Sequence, residues 1–496
     1  MIKKNKKKYL LIKQVIMSNH FTSPNSETHS YMLTDIPDCL KSNSNPQSVK
    51  SRNRFFQLSS TSQSQNSGGV ILFNLAPGNY SISKGTMALR MRVSCTTTAA
   101  PTYNTSFAAG TLSFQGAGNK SVAYLNPPVG ATAAVNSAYT LAYGNAYSVI
   151  QRLTCYGSNS SILAQHNFLN DEMNGLLYHN SSQPYLANDA SILLGMGQQW
   201  YSSSATNSFI DVVLPLPLSI FQSATQNFPC HLLSAPLTIQ IDLSSLARGI
   251  FSGGTVAASE FTVSNTFLIY QAVELPSALI EAERQATRSS PFVMTCSNTM
   301  SVQVPQSILS SYTLGLNASS VRGVMILPSS VSTYSTGSQL YYAASRSDCD
   351  FGTLTSGAGS GINAQVYLDG NLVNSNIIDN IPNTYAAMKQ FMHHNLQGNI
   401  IQPSVTPPVY STTLTQAGVG ASLYANQMFC IAIDTSSFDE ESTIFGGVPC
   451  TNLNIQLSGY GATINSATTS SNLCTICVLY DVLVAFGEDG SISVKR

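Results

Sequence analysis

The sequence predicts an all-β chain made of two tandem copies of one β-sandwich, and three observations predict it. Several matches recur in the same order about two hundred residues apart. Short apolar or alternating runs are separated by glycine and proline turns, and stretches with helical character are few.

The repeat comes first because it sets the organisation. Leu153-Thr-Cys-Tyr-Gly157-Ser matches Val366-Tyr-Leu-Asp-Gly370-Asn, with the glycines 213 residues apart. Leu237-Thr-Ile239-Gln-Ile241 is echoed by Leu453-Asn-Ile455-Gln-Leu457 at an offset of 216, and the apolar strands around Tyr270 and Tyr480 match at an offset of 210. Chance similarities would fall at scattered spacings, so three concordant offsets indicate duplication.

Along the chain, residues 1–54 are rich in Ser, Asn and Lys and are expected to form a flexible arm, because they offer too little apolar surface to offset the entropy of ordering. Regular structure is expected from Phe55, with Phe55-Phe56 anchoring the entry to the first sandwich. Val70–Leu75 reads as a strand, Pro77-Gly78-Asn79 as a turn, and Met87, Leu89, Met91 and Val93 as the buried face of a second strand. The Ser/Thr/Gly/Ala-rich stretches 95–122 and 353–365 read as long surface excursions. A short amphipathic helix is expected around Phe168, Met173, Leu176 and Leu177, with a counterpart at Tyr385, Met388 and Phe391. Ala278–Arg288 consists mostly of good helix formers and lies between the copies. The expected division is therefore an arm at 1–54, a first sandwich at 55–276, a helical linker at 277–289 and a second sandwich at 290–496. A duplicated sandwich of about two hundred residues per copy suits the eight-stranded jelly roll.

Composition restricts the function. Lys+Arg and Asp+Glu both number 23, and charged residues are only 9% of the chain, against about 25% in ordinary soluble domains. A large neutral chain is expected to set much of its surface against copies of itself. It is poorly suited to wrapping nucleic acid, which takes clustered basic residues. The ten cysteines show no close-spaced framework and are read as buried thiols. Cys474-Thr-Ile-Cys477 has no second Cys pair and no helix, so it is read as packing.

The N-terminal run has lysines at 3, 4, 6, 7 and 8, but its apolar stretch Tyr9–Ile12 is too short for a secretory signal, which places synthesis and use inside a cell. The basic run is either an arm touching nucleic acid or acidic membrane, or a translated leader ahead of a start at Met17.

Enzymatic chemistry finds no support. His393-His394 are adjacent and so diverge, with no carboxylate at the spacing a zinc site needs. Asp350-Phe-Gly352 lacks the other kinase elements, and Gly357–Gly361 lacks a following Gly-Lys-Ser/Thr. Asp439, Glu440 and Glu441 read as a solvated loop. Sequons at Asn104, Asn159, Asn180 and Asn317 arise freely in so Ser/Thr/Asn-rich a chain. No catalytic residue, cofactor or metal ligand is assigned.

Ile150-Gln-Arg-Leu-Thr-Cys-Tyr-Gly157 with Leu163–Leu177, and Phe267–Leu275 leading into Glu281-Ala-Glu283-Arg284, resemble segments of the double jelly-roll major capsid proteins of double-stranded DNA viruses: polinton-like viruses, virophages and large eukaryotic DNA viruses. The resemblance covers nearly the whole chain from about residue 55 and rests on order and length more than on single residues. It implies a structural subunit that forms pseudo-hexameric homotrimers, tiles an icosahedral virion shell around the genome and is assembled in the infected cell. The implied partners are the chain itself, neighbouring trimers, minor capsid and penton proteins, and for the arm the genome or an internal membrane. The rival reading is a carbohydrate-binding or adhesive β-sandwich surface protein, which would tolerate the same low charge. A third, a single-stranded RNA virus coat protein, is disfavoured by the neutral body.

Overall fold

A computed structural model describes residues 52–97, 139–141, 146–157, 160–173, 193–195, 201–204, 207–222, 227–245, 249–252, 258–306, 309–330, 363–373, 383, 386–388, 390–391, 431–435, 446–458 and 472–495. The arm residues 1–51 lie outside them. The strands are β1 Arg52–Ser59, β2 Ser64–Asn66, β3 Val70–Leu75, β4 Tyr80–Ile82, β5 Ala88–Thr97, β6 Tyr139–Leu141, β7 Ile150–Tyr156, β8 Ile162–His166, β9 Tyr201–Ser204, β10 Asn207–Pro215, β11 Phe228–Pro229, β12 Leu237–Leu243, β13 Ile250–Ser252 and β14 Ala258–Glu274. The second half holds β15 Phe292–Gln306, β16 Leu309–Ser330, β17 Asn363–Leu368, β18 Asn371–Leu372, β19 Ile431–Asp434, β20 Val448–Ser458, β21 Asn472–Phe486 and β22 Ile492–Lys495. Helix α1 is Ser219–Gln222, and α2, Ser277–Ser289, joins the halves where a helix is predicted.

In the first half, one sheet has β1 and β5 on either side of β14, with β10 beyond β5, and the facing sheet runs β3-β12-β7-β8. In the second half, β15-β21-β16-β19 and β16-β20-β17-β18 repeat both orders, every pairing antiparallel. β16 serves twice. Leu309–Gly315 pairs with β20, and from Val321 onward the same strand pairs with β21 and β19. Register shifts between Gly315 and Val321 turn the corner, with Asn317 at φ 49°. The first half makes the same passage with two separate strands, β3 and β5, around the Pro77-Gly78 turn.

The sequence repeat matches the strand pairing. Ile239 faces Cys155 and Ile455 faces Val366, so β12/β7 and β20/β17 are equivalent ladders. Tyr270 and Tyr480 lie on the equivalent strands β14 and β21. The alternating strand Met87–Val93 turns Met87, Leu89, Met91 and Val93 inward, and Ile71, Phe73, Ile239 and Ile241 meet them from the facing sheet. Val366, Leu453, Ile455, Ile476 and Val478 fill the second core in the same way. Gly323 admits Phe391 so closely that an added Cβ would lie 2.4 Å from its ring.

Three expectations change. Among the described residues the first strand already includes Arg52–Arg54, ahead of Phe55, because all of β1 ladders with β14 and Arg54 bonds Glu274 at 2.6 Å. Only Phe56 anchors the entry, stacking on Tyr80 and Tyr270, while Phe55 points to the opposite face and is 83% exposed. β5 extends to Thr97 and β17 starts at Asn363, so strand residues enter both stretches expected to be loops. The expected short helix is present at 169–173, with Met173 buried, and Met388 and Phe391 are buried in its counterpart. Leu176, Leu177 and Tyr385 lie outside the described residues.

Candidate functional site

The richest polar chemistry among the described residues lies at the seam between the halves. There β8, the helical residues 169–173 and α1 meet the sheet formed by β15 and β21. Asn298 donates from Nδ2 to the Leu163 carbonyl at 2.9 Å and accepts from Ser219 Oγ at 3.1 Å. The backbone N–H of Asn167 donates to Ser301 Oγ at 3.2 Å, and its side chain donates to the Ser301 carbonyl. Thr475 Oγ1 donates to Asp171 Oδ2 at 2.9 Å, with Gln303 Nε2 within 3.5 Å of the same oxygen. Apolar contact continues the seam, since Phe228 of the first half packs against Phe486, which packs against Phe292.

Two buried pairs brace the first-half side. His166 donates from Nδ1 to the Glu172 carboxylate at 3.0 Å and from Nε2 to the Pro217 carbonyl at 2.7 Å. Burial alone would lower its pKa, but the carboxylate and carbonyl outweigh it and raise the ring above its usual value. His231 and Glu283 of α2 meet at 2.6 Å in a bent contact that leaves the carboxylate without a well-aligned hydrogen bond. Burial pushes the Glu283 carboxyl up, opposed by His231. Arg284 donates twice to the His231 carbonyl, at 3.1 and 3.0 Å, fixing α2 to the first half.

These groups hold surfaces together. Among the described residues no group of three or more His, Cys, Asp or Glu could hold a metal ion. Among the same residues no helix is long and apolar enough to cross a membrane. Cys95, Cys155, Cys230, Cys296, Cys450, Cys474 and Cys477 are buried, as expected, while Cys39, Cys349 and Cys430 lie outside the described residues; burial pushes the Cys155 thiol up to about 12, far from a reactive thiolate. Both thiols of Cys474 and Cys477 are buried because β21 is covered on both faces. His393, His394, Asp350–Gly352, Gly357–Gly361, Asp439–Glu441, Asn104, Asn159 and Asn180 lie outside the described residues. Asn317 is exposed at the β16 corner.

Sequence reasoning singled out Glu283 and Arg284 and missed His166, Asp171, Asn298, Ser301 and Thr475. A signal exists: each is a polar interruption in or beside an apolar strand, as in Leu473-Cys-Thr475-Ile-Cys. Period-two patterning cannot tell such a residue from one facing water.

No family model matches the chain, and no curated protein matches it in sequence. Solved structures do match. The Faustovirus major capsid protein aligns at TM-score 0.55 and 8% identity, over 89% of this chain and 92% of that one. A quasi-atomic model of the PBCV-1 virus capsid aligns at 0.54 and 8% identity, over 91% and 98%. PBCV-1 VP54, fitted into a reconstruction of the virophage Sputnik, aligns at 0.53 and 10% identity, again over 91% and 98%. The fold is a double jelly roll. At such identities the likeness is one of architecture, and it extends through both rolls of this double jelly roll and the helix between them.

Proposed function

We propose that this chain is a major capsid protein, a structural and non-catalytic subunit that self-associates as homotrimers of pseudo-hexameric outline. Such trimers tile an icosahedral virion shell around the genome and assemble in the infected cell. The working units are a roll at 52–276, a roll at 290–496, the linker 277–289 and an N-terminal arm ahead of β1 that reaches the genome or an internal membrane. Minor capsid and penton proteins complete the shell.

One observation carries the reading: two rolls with the same strand order are locked by a buried seam into one body, the architecture shared with viral capsid proteins over nearly the whole length. Such a body offers similar flanks at regular angular intervals, so three copies approximate a hexagon and one polypeptide can pave a surface. The low charge fits a subunit whose flanks are buried against copies of itself. Negative-stain microscopy of the purified full chain tests the reading. Trimers of hexagonal outline are expected, and a monomer at all concentrations would overturn it.

A further inference from the structure

We infer that Gln303 and Thr475 form a covalent modification site: the Thr475 hydroxyl displaces ammonia from the Gln303 side-chain amide, with Asp171 as the base, and an ester bond then ties β15 to β21. The reaction happens once within each chain and turns part of the seam from hydrogen bonds into a lock. It belongs to the single chain and stands whether or not copies assemble.

Three side chains meet at one point of the seam. Gln303 and Thr475 stand directly opposite each other on neighbouring antiparallel strands, where facing side chains start from Cβ atoms only about 4.5–5.5 Å apart. Thr475 Oγ1 donates to Asp171 Oδ2 at 2.9 Å, and Gln303 Nε2 lies 3.4 Å from that hydroxyl oxygen and 3.5 Å from that carboxylate oxygen. Nucleophile, base and leaving nitrogen thus form a closed triangle. The carboxylate oxygen that accepts the hydroxyl proton also reaches the nitrogen that must leave, so one group can carry the proton between them. As the bond from Oγ1 to the Gln303 Cδ forms, the proton passes to Asp171 Oδ2. As the bond from Cδ to Nε2 breaks, Oδ2 returns that proton to Nε2, and ammonia departs. The carboxylate is regenerated, nothing is oxidised or reduced, and no co-reactant is consumed.

Amides resist alcohols in open water, and the seam supplies what that reaction lacks. A hydroxyl held in line with an amide gains an effective molarity of about 10⁵–10⁸ M. Thr475 is fully buried and Asp171 is 3% exposed, so water that would compete for the amide or hydrolyse the ester is kept away. The base also comes from the other roll. Asp171 and Thr475 are 304 residues apart in sequence, so the triangle is complete only once the first roll has seated against the second. The bond therefore forms late and records a closed seam. It joins residues 172 positions apart, and tying so long a loop restricts the unfolded chain far more than the folded one.

Intact-mass measurement and peptide mapping of the purified, folded full chain provide the test. The chain is expected to be lighter than its sequence by the mass of one ammonia, with the peptides that hold Gln303 and Thr475 recovered as one. Mild alkali is expected to split that linked peptide, leaving Thr475 intact and a glutamate carboxyl at position 303. A folded chain of unmodified mass with the two peptides separate would overturn the inference, and so would an ammonia loss that maps to any other residue. Asp171→Asn keeps a hydrogen-bond acceptor for Thr475 but removes the base, and Thr475→Val removes the nucleophile at nearly constant shape. Both are expected to lose the linked peptide while keeping the native circular dichroism, and a linked peptide that persists in either would overturn the assignment. The mass of the native chain decides the matter even where a variant fails to fold.

Discussion

The two rolls share one ladder plan and differ most around their equivalent tyrosines. In the first, Tyr270 joins an aromatic stack with Phe56 at 5.5 Å, and Phe56 stacks on Tyr80 at 5.4 Å. In the second, Tyr480 faces Asn298, and the next residue, Asp481, accepts from Ser320 Oγ at 2.7 Å and from Ser297 Oγ at 3.3 Å, with Arg322 at 3.8 Å. Duplication has kept the inward apolar positions, where any change leaves a cavity or a clash. Residues beyond them have followed their surroundings. The second roll's outer face is enclosed, so its polar groups must satisfy one another.

The largest expected effect tests that contrast. Asp481→Ala leaves Arg322 buried without its carboxylate and should cost about 3–5 kcal/mol, whereas Gln271→Ala at the equivalent site should cost less than about 1 kcal/mol. Chemical denaturation of the two variants measures both, and equal losses would break the contrast. Next come the conserved interiors. Ile239→Ala and Ile455→Ala each empty a fully buried site and should each cost about 3 kcal/mol, so a large inequality would mean that the two cores are packed differently.

A smaller effect separates the rolls by pH. The folded pKa of His166 lies above its usual 6.5, so its contribution is complete below that value and is lost as pH rises through the raised one. The unfolding temperature should therefore fall on the alkaline side in the native chain, and His166→Gln should flatten that dependence. The smallest effect concerns the hairpin turns. Asp369 and Gly370 both have positive φ, as a two-residue turn of this hand needs, while the first roll places Ser160 at φ 58° in a longer loop. Gly370→Ala should cost about 1 kcal/mol and Ser160→Gly should gain somewhat less. Thermal unfolding of the two variants would show the opposite signs.

Much of the fold is legible in the sequence because strand pairing obeys period two and the duplication displays the pattern twice. The Asp-Gly turn, the Met87–Val93 alternation and the helix over 277–289 each follow from local chemistry. The seam is not legible in this way. Asn298 and Thr475 are ordinary polar strand residues until a partner more than a hundred residues away is brought against them. β16 escaped for a different reason: whether a strand continues through a corner or breaks into two depends on bulges at Gly315–Val321, which the apolar pattern does not mark.

The seam also sets an order of events during synthesis. Its bond between Asp171 and Thr475 spans 304 residues, and the Ser234 N–H bonds the carbonyl of Gly490. At about 5–20 residues per second on the ribosome, the first roll's seam surface waits many seconds for its cover. A chain cut short before β21 therefore leaves Asp171 without its Thr475 partner. The closing strands thus act as a completeness check, since only a fully translated chain can close the seam that joins its two rolls.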